Sequence, residues 1–308
     1  MRAPKPVSAR LVGGIGNQLF VYYAGKFLSD SLSSPLELDL TLLDTDKTRH
    51  GVSLEDFTNL EGKFIRSEAN PRVTKATQVF FNRVRRSFPV LEFLQLHFGS
   101  SYSSRVVGFD PNLARFRRPR KIQGYFQTWR FVETFVKHEA SSLGIKSPTS
   151  WFLDLQSAAL ELRPIMVHVR IGDYLQPENS YFGILGEGYY LDGISRIRKE
   201  GISGPIWLFS DDLKKAKEFH PRLAAQTELF VQAPLGSFPG EELILMSLGS
   251  ANIIANSTFS WWGAYLNKYS KLTVAPAQWF KSAPEPEDLI PKTWIRLPSD
   301  WVQDPNKD

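Results

Sequence analysis

His168 and Arg170 stand two residues apart at the end of the apolar run Ile165–Val169, and Gly172 and Asp173 follow at once. In extended chain, positions two apart face the same side. A guanidinium presents a fixed fork of donors matched to phosphate oxygens, and the glycine allows a turn that sets a carboxylate beside it. Such a group can hold an anion. An ordinary ion pair between Arg170 and Asp173 explains the same residues equally well. Two further polar sets end apolar runs in the same way: Ser210-Asp211-Asp212, and Asn256-Ser257-Thr258. Each reads as a helix cap, the first with acids in its opening turn. A helix start just after a strand also aims free N–H groups at an anion, so capping and ligand binding are compatible at Ser257 and Thr258. The same triplet is a glycosylation sequon, which is discounted because no export signal is read near the amino terminus.

Other candidates are weaker. Gly13-Gly14-Ile15-Gly16-Asn17-Gln18-Leu19 follows an apolar run and opens a helical pattern, with Glu37 and Asp39 about 20 residues on, as in a dinucleotide fingerprint. Leu19 occupies the place of the third Gly or Ala, and the amides of Asn17 and Gln18 crowd the approach of a pyrophosphate. A turn that lets backbone approach a sugar, or the other domain, fits as well. Asp44-Thr45-Asp46 has a D-x-D spacing common by chance in polar turns. The five histidines (50, 97, 138, 168, 220) make no metal-ligand spacing, and the chain has no cysteine. A disulfide framework, a thiolate nucleophile and thiolate-bound metals are thereby excluded. Eight Trp and ten Tyr are read as core before sugar platforms.

The elements that must position these residues follow from the pattern. Short, continuously apolar runs alternate with helical stretches in the second half: strands at Ile165–Val169, Ile206–Phe209, Leu229–Val231, Ile253–Ala255 and Leu272–Ala275, helices near Tyr189–Lys199, Leu213–Phe219, Glu241–Leu248 and Phe259–Lys268. That alternation predicts βαβ units and a parallel sheet covered on both faces. Ligands then collect outside the carboxyl ends of the strands, where all three polar sets lie. In the first half, strands are expected at Val7–Val12 and Pro35–Leu40, with a helix at Asn17–Ser29 between them and another near Gln78–Phe88. Ser141–Thr149 has linker composition, which places a boundary near 150: an amino-terminal domain 1–150 and a carboxyl-terminal domain 151–308.

A length of 308 residues suits two domains, and 42% hydrophobic with 22% charged residues is globular composition. No apolar run approaches a membrane span, and the expectation is a cytoplasmic protein. The net charge of +5 is uneven: residues 61–130 hold 14 Lys and Arg against 4 Asp and Glu. Such a lobe suits a phosphorylated ligand, an anionic membrane face or nucleic acid. The run Arg115–Lys121 has no nucleic-acid-binding motif around it, so nucleic acid is not the expected partner.

His168-Val169-Arg170-Ile171-Gly172-Asp173-Tyr174 and Asn256-Ser257-Thr258-Phe259-Ser260-Trp261-Trp262-Gly263-Ala264 resemble two signature motifs of the family 11 glycosyltransferases, the α-1,2-fucosyltransferases. Gly13–Phe20, Gly124-Tyr125-Phe126-Gln127 and Phe209-Ser210-Asp211-Asp212 are similar to three more, in the family's order. The resemblance implies an α/β, GT-B-like architecture: two Rossmann-like domains facing a cleft, the carboxyl-terminal one with a parallel sheet. It implies transfer of L-fucose from GDP-fucose to a galactoside 2-hydroxyl with inversion, with no metal and no cofactor. His168, Arg170, Asp211, Asp212, Asn256, Ser257, Thr258 and Phe259 would line the donor site. Arg170 would meet the departing diphosphate, and Asp173, or else Glu178, would be the base. Gly14, Gly16, Asn17 and Gln18 would lie on the acceptor side. The family motif usually carries a second Arg where this chain has Ile171. The acceptor would be a galactose-terminated glycan, lipid-linked if the basic segment Arg83–Lys121 makes peripheral contact with the membrane. Another sugar-nucleotide transferase, or a non-catalytic glycan-binding or nucleic-acid-binding protein, would use the same residues differently.

Overall fold

The structure, a computed structural model, describes residues 4–43, 54–66, 100–115, 120–136 and 143–302. The Asp44–Asp46 motif, the helix expected at Gln78–Phe88, His50, His97, His138 and most of the basic segment lie outside these residues. Contacts divide the chain into two compact units, Met1–Leu143 with Pro286–Leu289, and Gly144–Glu285 with Ile290–Asp308.

In the first unit the strands are β1 (Val7–Arg10), β2 (Leu36–Asp39), β3 (Phe57–Thr58), β4 (Lys63–Ile65), β5 (Ser101–Ser103) and β6 (Lys121–Gln123). Five of them form a parallel sheet in the order β4-β2-β1-β6-β5. β1 leads into the Ile15–Ser31 helix, which starts two residues before the expected helix and ends two after it, and is buried along most of its length. A strand whose neighbours on both sides are parallel must bury both faces, and Val7, Ala9, Leu11 and Leu38 are sealed from solvent. Asp39 is structural: it accepts from Arg10 Nε at 3.0 Å and from the Thr41 N–H at 3.0 Å. Burial pushes its carboxyl up, but these bonds outweigh burial and hold it below the usual carboxylate range.

The second unit opens with β7 (Gly144–Ile145) and a helix over Ser150–Leu162, whose first turn is capped by Thr149. Its strands are β8 (Ile165–Val169), β9 (Ile206–Ser210), β10 (Leu229–Val231), β11 (Ala251–Ile253), β12 (Leu272–Pro276) and β13 (Ile295–Leu297). They form one parallel sheet ordered β10-β9-β8-β11-β12-β13. β8 is buried throughout, and Val167, Val169, Leu208, Ile253 and Val274 pack with Tyr189, Ile194 and Ile197 of the Glu187–Lys199 helix. The five strands read from the apolar runs are present.

Two details differ from expectation. β11 ends at Ile253, not Ala255: the Ile254 carbonyl is taken by the Tyr189 hydroxyl at 2.7 Å instead of a neighbouring strand. β13 was not anticipated, because Ile295-Arg296-Leu297 alternates as an edge strand does and lacks a continuous apolar run. The aromatic wealth is core: Trp261, Trp262, Trp279, Tyr189 and Tyr190 are wholly buried. Among the described residues no helix is long and apolar enough to cross a membrane.

Candidate functional site

Strand order locates the crevice in the second unit. From β8 the chain moves outward to β9 and β10, then returns to place β11 on the other side of β8. The connections after β8 and β11 therefore depart in opposite directions, and the carboxyl ends of these two strands flank the switch point at which open α/β sheets bind ligands.

The chain after β8 turns through the short 3-10 helix Gly172–Leu175. Arg170, half-buried, donates from Nε and Nη2 to Asp173 Oδ1 at 3.0 and 2.7 Å, and its Nε lies 3.4 Å from Asp211 Oδ2. Burial works against the guanidinium's charge, but Asp211, Tyr174 and Asp173 offset it and raise its pKa. Asp211, the residue after β9, also accepts the Ile171 N–H through Oδ1 at 3.0 Å. One carboxylate thus holds the turn and its cation together. A Cβ on Gly172 would stand 2.2 Å from Asp211 Oδ2, so the position has to be glycine for the carboxylate to come this close. The side chain of Ile171 is sealed in the hydrophobic core. The second motif position therefore presents no polar group to the crevice.

Across the switch point, Tyr174 donates its hydroxyl to the Asn256 carbonyl at 2.8 Å, tying the two connections to each other. Tyr174 also stacks on Phe182 with centroids 4.5 Å apart. Asn256 is buried, and its Nδ2 donates to the carbonyls of Phe182 at 2.9 Å, Trp279 at 3.1 Å and Gly183 at 3.3 Å; its Oδ1 has no partner among the described residues. The Ser257 hydroxyl caps the Thr258–Tyr265 helix by accepting from the Phe259 N–H at 3.3 Å. His168, 3% exposed, lies 5.8 Å from the Phe259 ring with Nδ1 unpartnered. Burial, and the nearby Arg170 charge, push its pKa down to about 3, so the ring is neutral.

The structure thus gathers His168, Arg170, Asp173, Asp211, Asn256, Ser257, Thr258 and Phe259 around one switch point. Asp212 does not join them: it caps the Leu213–Phe219 helix, accepting from Lys215 N–H at 3.0 Å, and pairs with the Lys215 ammonium at 3.7 Å. Glu178 sits on an exposed 3-10 turn, Pro177–Asn179. The roles of Tyr174 and Phe182 as tie and prop were not read from the sequence, where an aromatic after a turn carries no sign of its partner. Among the described residues no group of three His, Asp or Glu side chains is placed to share a metal ion.

The first unit has a switch point of its own between β1 and β6. The Ile15–Ser31 helix begins there at Gly14, whose position offers no side-chain cap. Gln18 is buried and donates from Nε2 to the Gly13 carbonyl at 2.9 Å. Asn17 accepts at Oδ1 from Gln127 Nε2 at 2.9 Å, so the glycine turn after β1 and the Gly124–Gln127 segment after β6 meet. That meeting was not foreseen.

The family model described as glycosyl transferase family 11 matches residues 155–298, the span that carries β8 to β13. The chain is similar to an α-1,2-colitosyltransferase of Escherichia coli, 30% identical over 304 residues that cover 94% of this chain and 98% of that one. It is also similar to the O-antigen biosynthesis glycosyltransferase WbnK of Escherichia coli, 28% identical over 311 residues, 93% of this chain and 99% of that one. Among solved structures, the fucosyltransferase NodZ from Bradyrhizobium aligns with TM-score 0.45 at 12% identity, covering 85% of this chain and 92% of that one.

Proposed function

This chain belongs to glycosyl transferase family 11, and we propose that it moves L-fucose from GDP-fucose to the 2-hydroxyl of a galactoside, with inversion. The observation that carries the reading is Arg170, a charged guanidinium held by Asp173 and Asp211 at the switch point of the second unit. The bond from fucose C1 to the β-phosphate oxygen breaks, the bond from C1 to galactose O2 forms, and the diphosphate leaves with the electron pair. Negative charge grows on the β-phosphate, and preorganised donors stabilise it there. Arg170 and the helix start at Ser257–Thr258 are the donors in this reading. His168, neutral and set against Phe259, contacts the nucleotide, and Asp211 shapes the pocket by holding the turn. Asp173 takes the proton of the galactose hydroxyl, with Glu178 as the second candidate.

The reading includes no metal and no cofactor. It includes a donor side in the second unit and an acceptor side in the first, with Gly14, Gly16, Asn17 and Gln18. The acceptor is a galactose-terminated glycan, and the cationic excess of residues 61–130 suits its presentation on a lipid at an anionic membrane face. A second donor is favoured by a specific finding: a relative bears the name colitosyltransferase. Colitose is fucose without its 3-hydroxyl, so both donors share the leaving group and the C1 chemistry. The test is incubation with GDP-fucose or GDP-colitose and a panel of β-galactosides, in EDTA, with linkage analysis of the product. A 1→2-linked deoxysugar on galactose is expected, and the better donor is read from kcat/KM. Transfer only from UDP- or ADP-sugars, or only with added divalent cation, would overturn the reading.

A further inference from the structure

After β13 the chain leaves the sheet and lies along the segment that enters the Glu187–Lys199 helix. Leu185 and Trp301 form an antiparallel bridge. The Val302 N–H donates to the Ile184 carbonyl at 2.8 Å, and the Gly186 N–H donates to the Asp300 carbonyl. The fit is close. A Cβ on Gly183, whose φ is 71°, would stand 2.7 Å from Cε3 of the Trp301 indole, and one on Gly186 or Gly188 would stand 2.7 Å from Asp300 Oδ2. Glycine alone lets side chains come this near to backbone. The Asp300 carboxylate thereby reaches the amino end of the helix, where negative charge is favoured.

What this strap holds leads to the site. Gly183 follows Phe182, and the carbonyls of both accept from Asn256 Nδ2. The Phe182 ring lies 5° from parallel to the ring of Tyr174, and the Arg170 guanidinium carbon is 5.5 Å from the Tyr174 centroid. Phe182 is therefore fixed by two contacts, Asn256 on its carbonyl and the Trp301 indole on the next residue. A stacked ring supports its partner only while the two stay in offset register. The indole thus sets the Phe182 ring, and Phe182 sets Tyr174 against Arg170.

We propose that Trp301 is a positioning residue for the donor: it seats Gly183 and Phe182 so that Tyr174 keeps Arg170 aimed at the diphosphate. The diphosphate as target rests on the transferase reading above; the seating of Arg170 does not. The guanidinium is followed first without nucleotide, through its Nε–H resonance in the whole chain with isotope-labelled arginine, assigned by its absence from Arg170→Lys. Trp301→Ala should shift that signal and speed its exchange with water several-fold. Trp301→Phe, which keeps a flat ring on Gly183, should restore it. Calorimetry with GDP and with GMP reads the consequence. Trp301→Ala should weaken GDP about three- to tenfold, the worth of one aromatic stack, and leave GMP, which lacks the β-phosphate, within about twofold. Should Trp301→Ala melt below the assay temperature, Trp301→Leu is read in its place with the same expectations. An unmoved Arg170 resonance would overturn the proposal. So would a GDP affinity that falls no more than that of GMP, in a protein whose Arg170→Ala variant does lose GDP selectively. The transferase reading fails separately, if Arg170→Ala weakens GDP and GMP alike while the Trp301 variants still move the resonance.

Discussion

Arg170 is where a single side chain decides most. Its fork is oriented by two carboxylates, and an ammonium at the same place would keep the charge and lose the geometry. Arg170→Lys should therefore lower kcat by 100-fold or more with KM for GDP-fucose changed far less; activity within threefold of the unaltered enzyme would remove Arg170 from the mechanism. Asp173 is tied to that guanidinium through Oδ1. As the base, its replacement in Asp173→Asn should cost ~10²–10⁴-fold in kcat/KM and abolish the acidic limb of the pH–rate profile. A profile unchanged in shape and height would pass the role to Glu178. At this scale the sequence was informative where residue type restricts chemistry: the His168–Asp173 run was identifiable because Arg, Gly and Asp each do something their neighbours cannot. Asn256 was less so. Nothing in its letter says that Nδ2 is committed to three backbone carbonyls.

Elements set what those residues can reach. The turn after β8 is held by the carboxylate of Asp211, the residue that follows β9, and Gly172 makes room for it. Gly172→Ala should push Asp211 off both the Ile171 N–H and Arg170, costing about 1–3 kcal/mol and weakening GDP binding by calorimetry. Undiminished affinity and melting temperature would show that the close approach is incidental. Parallel, doubly covered strands announce themselves as continuous apolar runs, which is why β8, β9, β10 and β12 could be located in advance. Edge strands and loop-to-loop ties do not. β13 shows only alternation, and the bond from Tyr174 to the Asn256 carbonyl spans 82 residues. Sequence position carries no trace of such a tie, because strand order, not spacing along the chain, creates it.

At the scale of the molecule, two buried imidazoles tie stability to pH. His220 has no exposed surface, packs 5.2 Å from Tyr190, and has neither ring nitrogen paired among the described residues. Burial pushes its pKa down to about 4 against the opposing pull of Glu187. The folded chain keeps the ring neutral while the unfolded chain protonates it below its ordinary value of 6.5. Its contribution is therefore complete above pH 6.5 and is lost as pH falls towards 4. Between pH 7.5 and 4.5 that loss is about 2–3 kcal/mol, which His220→Phe should abolish in urea titrations of the second unit's transition. An equal acid loss in His220→Phe would assign the effect elsewhere, with His168 next in line. Saturating GDP should raise the melting temperature by several degrees, since ligand at 100 times its Kd adds ~2.7 kcal/mol. UDP and ADP should add little, and a response to UDP equal to that of GDP would disqualify a guanine-specific donor site. The presence of two α/β units was foreseeable from length and alternation. The return of Pro286–Leu289 to the first unit was not, since four residues too few to form an element give no periodic signal.

That short return has a bearing on synthesis. Thr128 Oγ1 and the Trp129 N–H donate to the Asp288 carbonyl, and the Phe109 N–H donates to the carbonyl of Glu287. These carbonyls emerge from the ribosome only after nearly the whole second unit, so the first cannot complete its own bonding in order of translation. The nascent amino-terminal half must wait, unfinished, for a clasp made near the other end of the chain, and no single cut between residues 143 and 144 could release it intact.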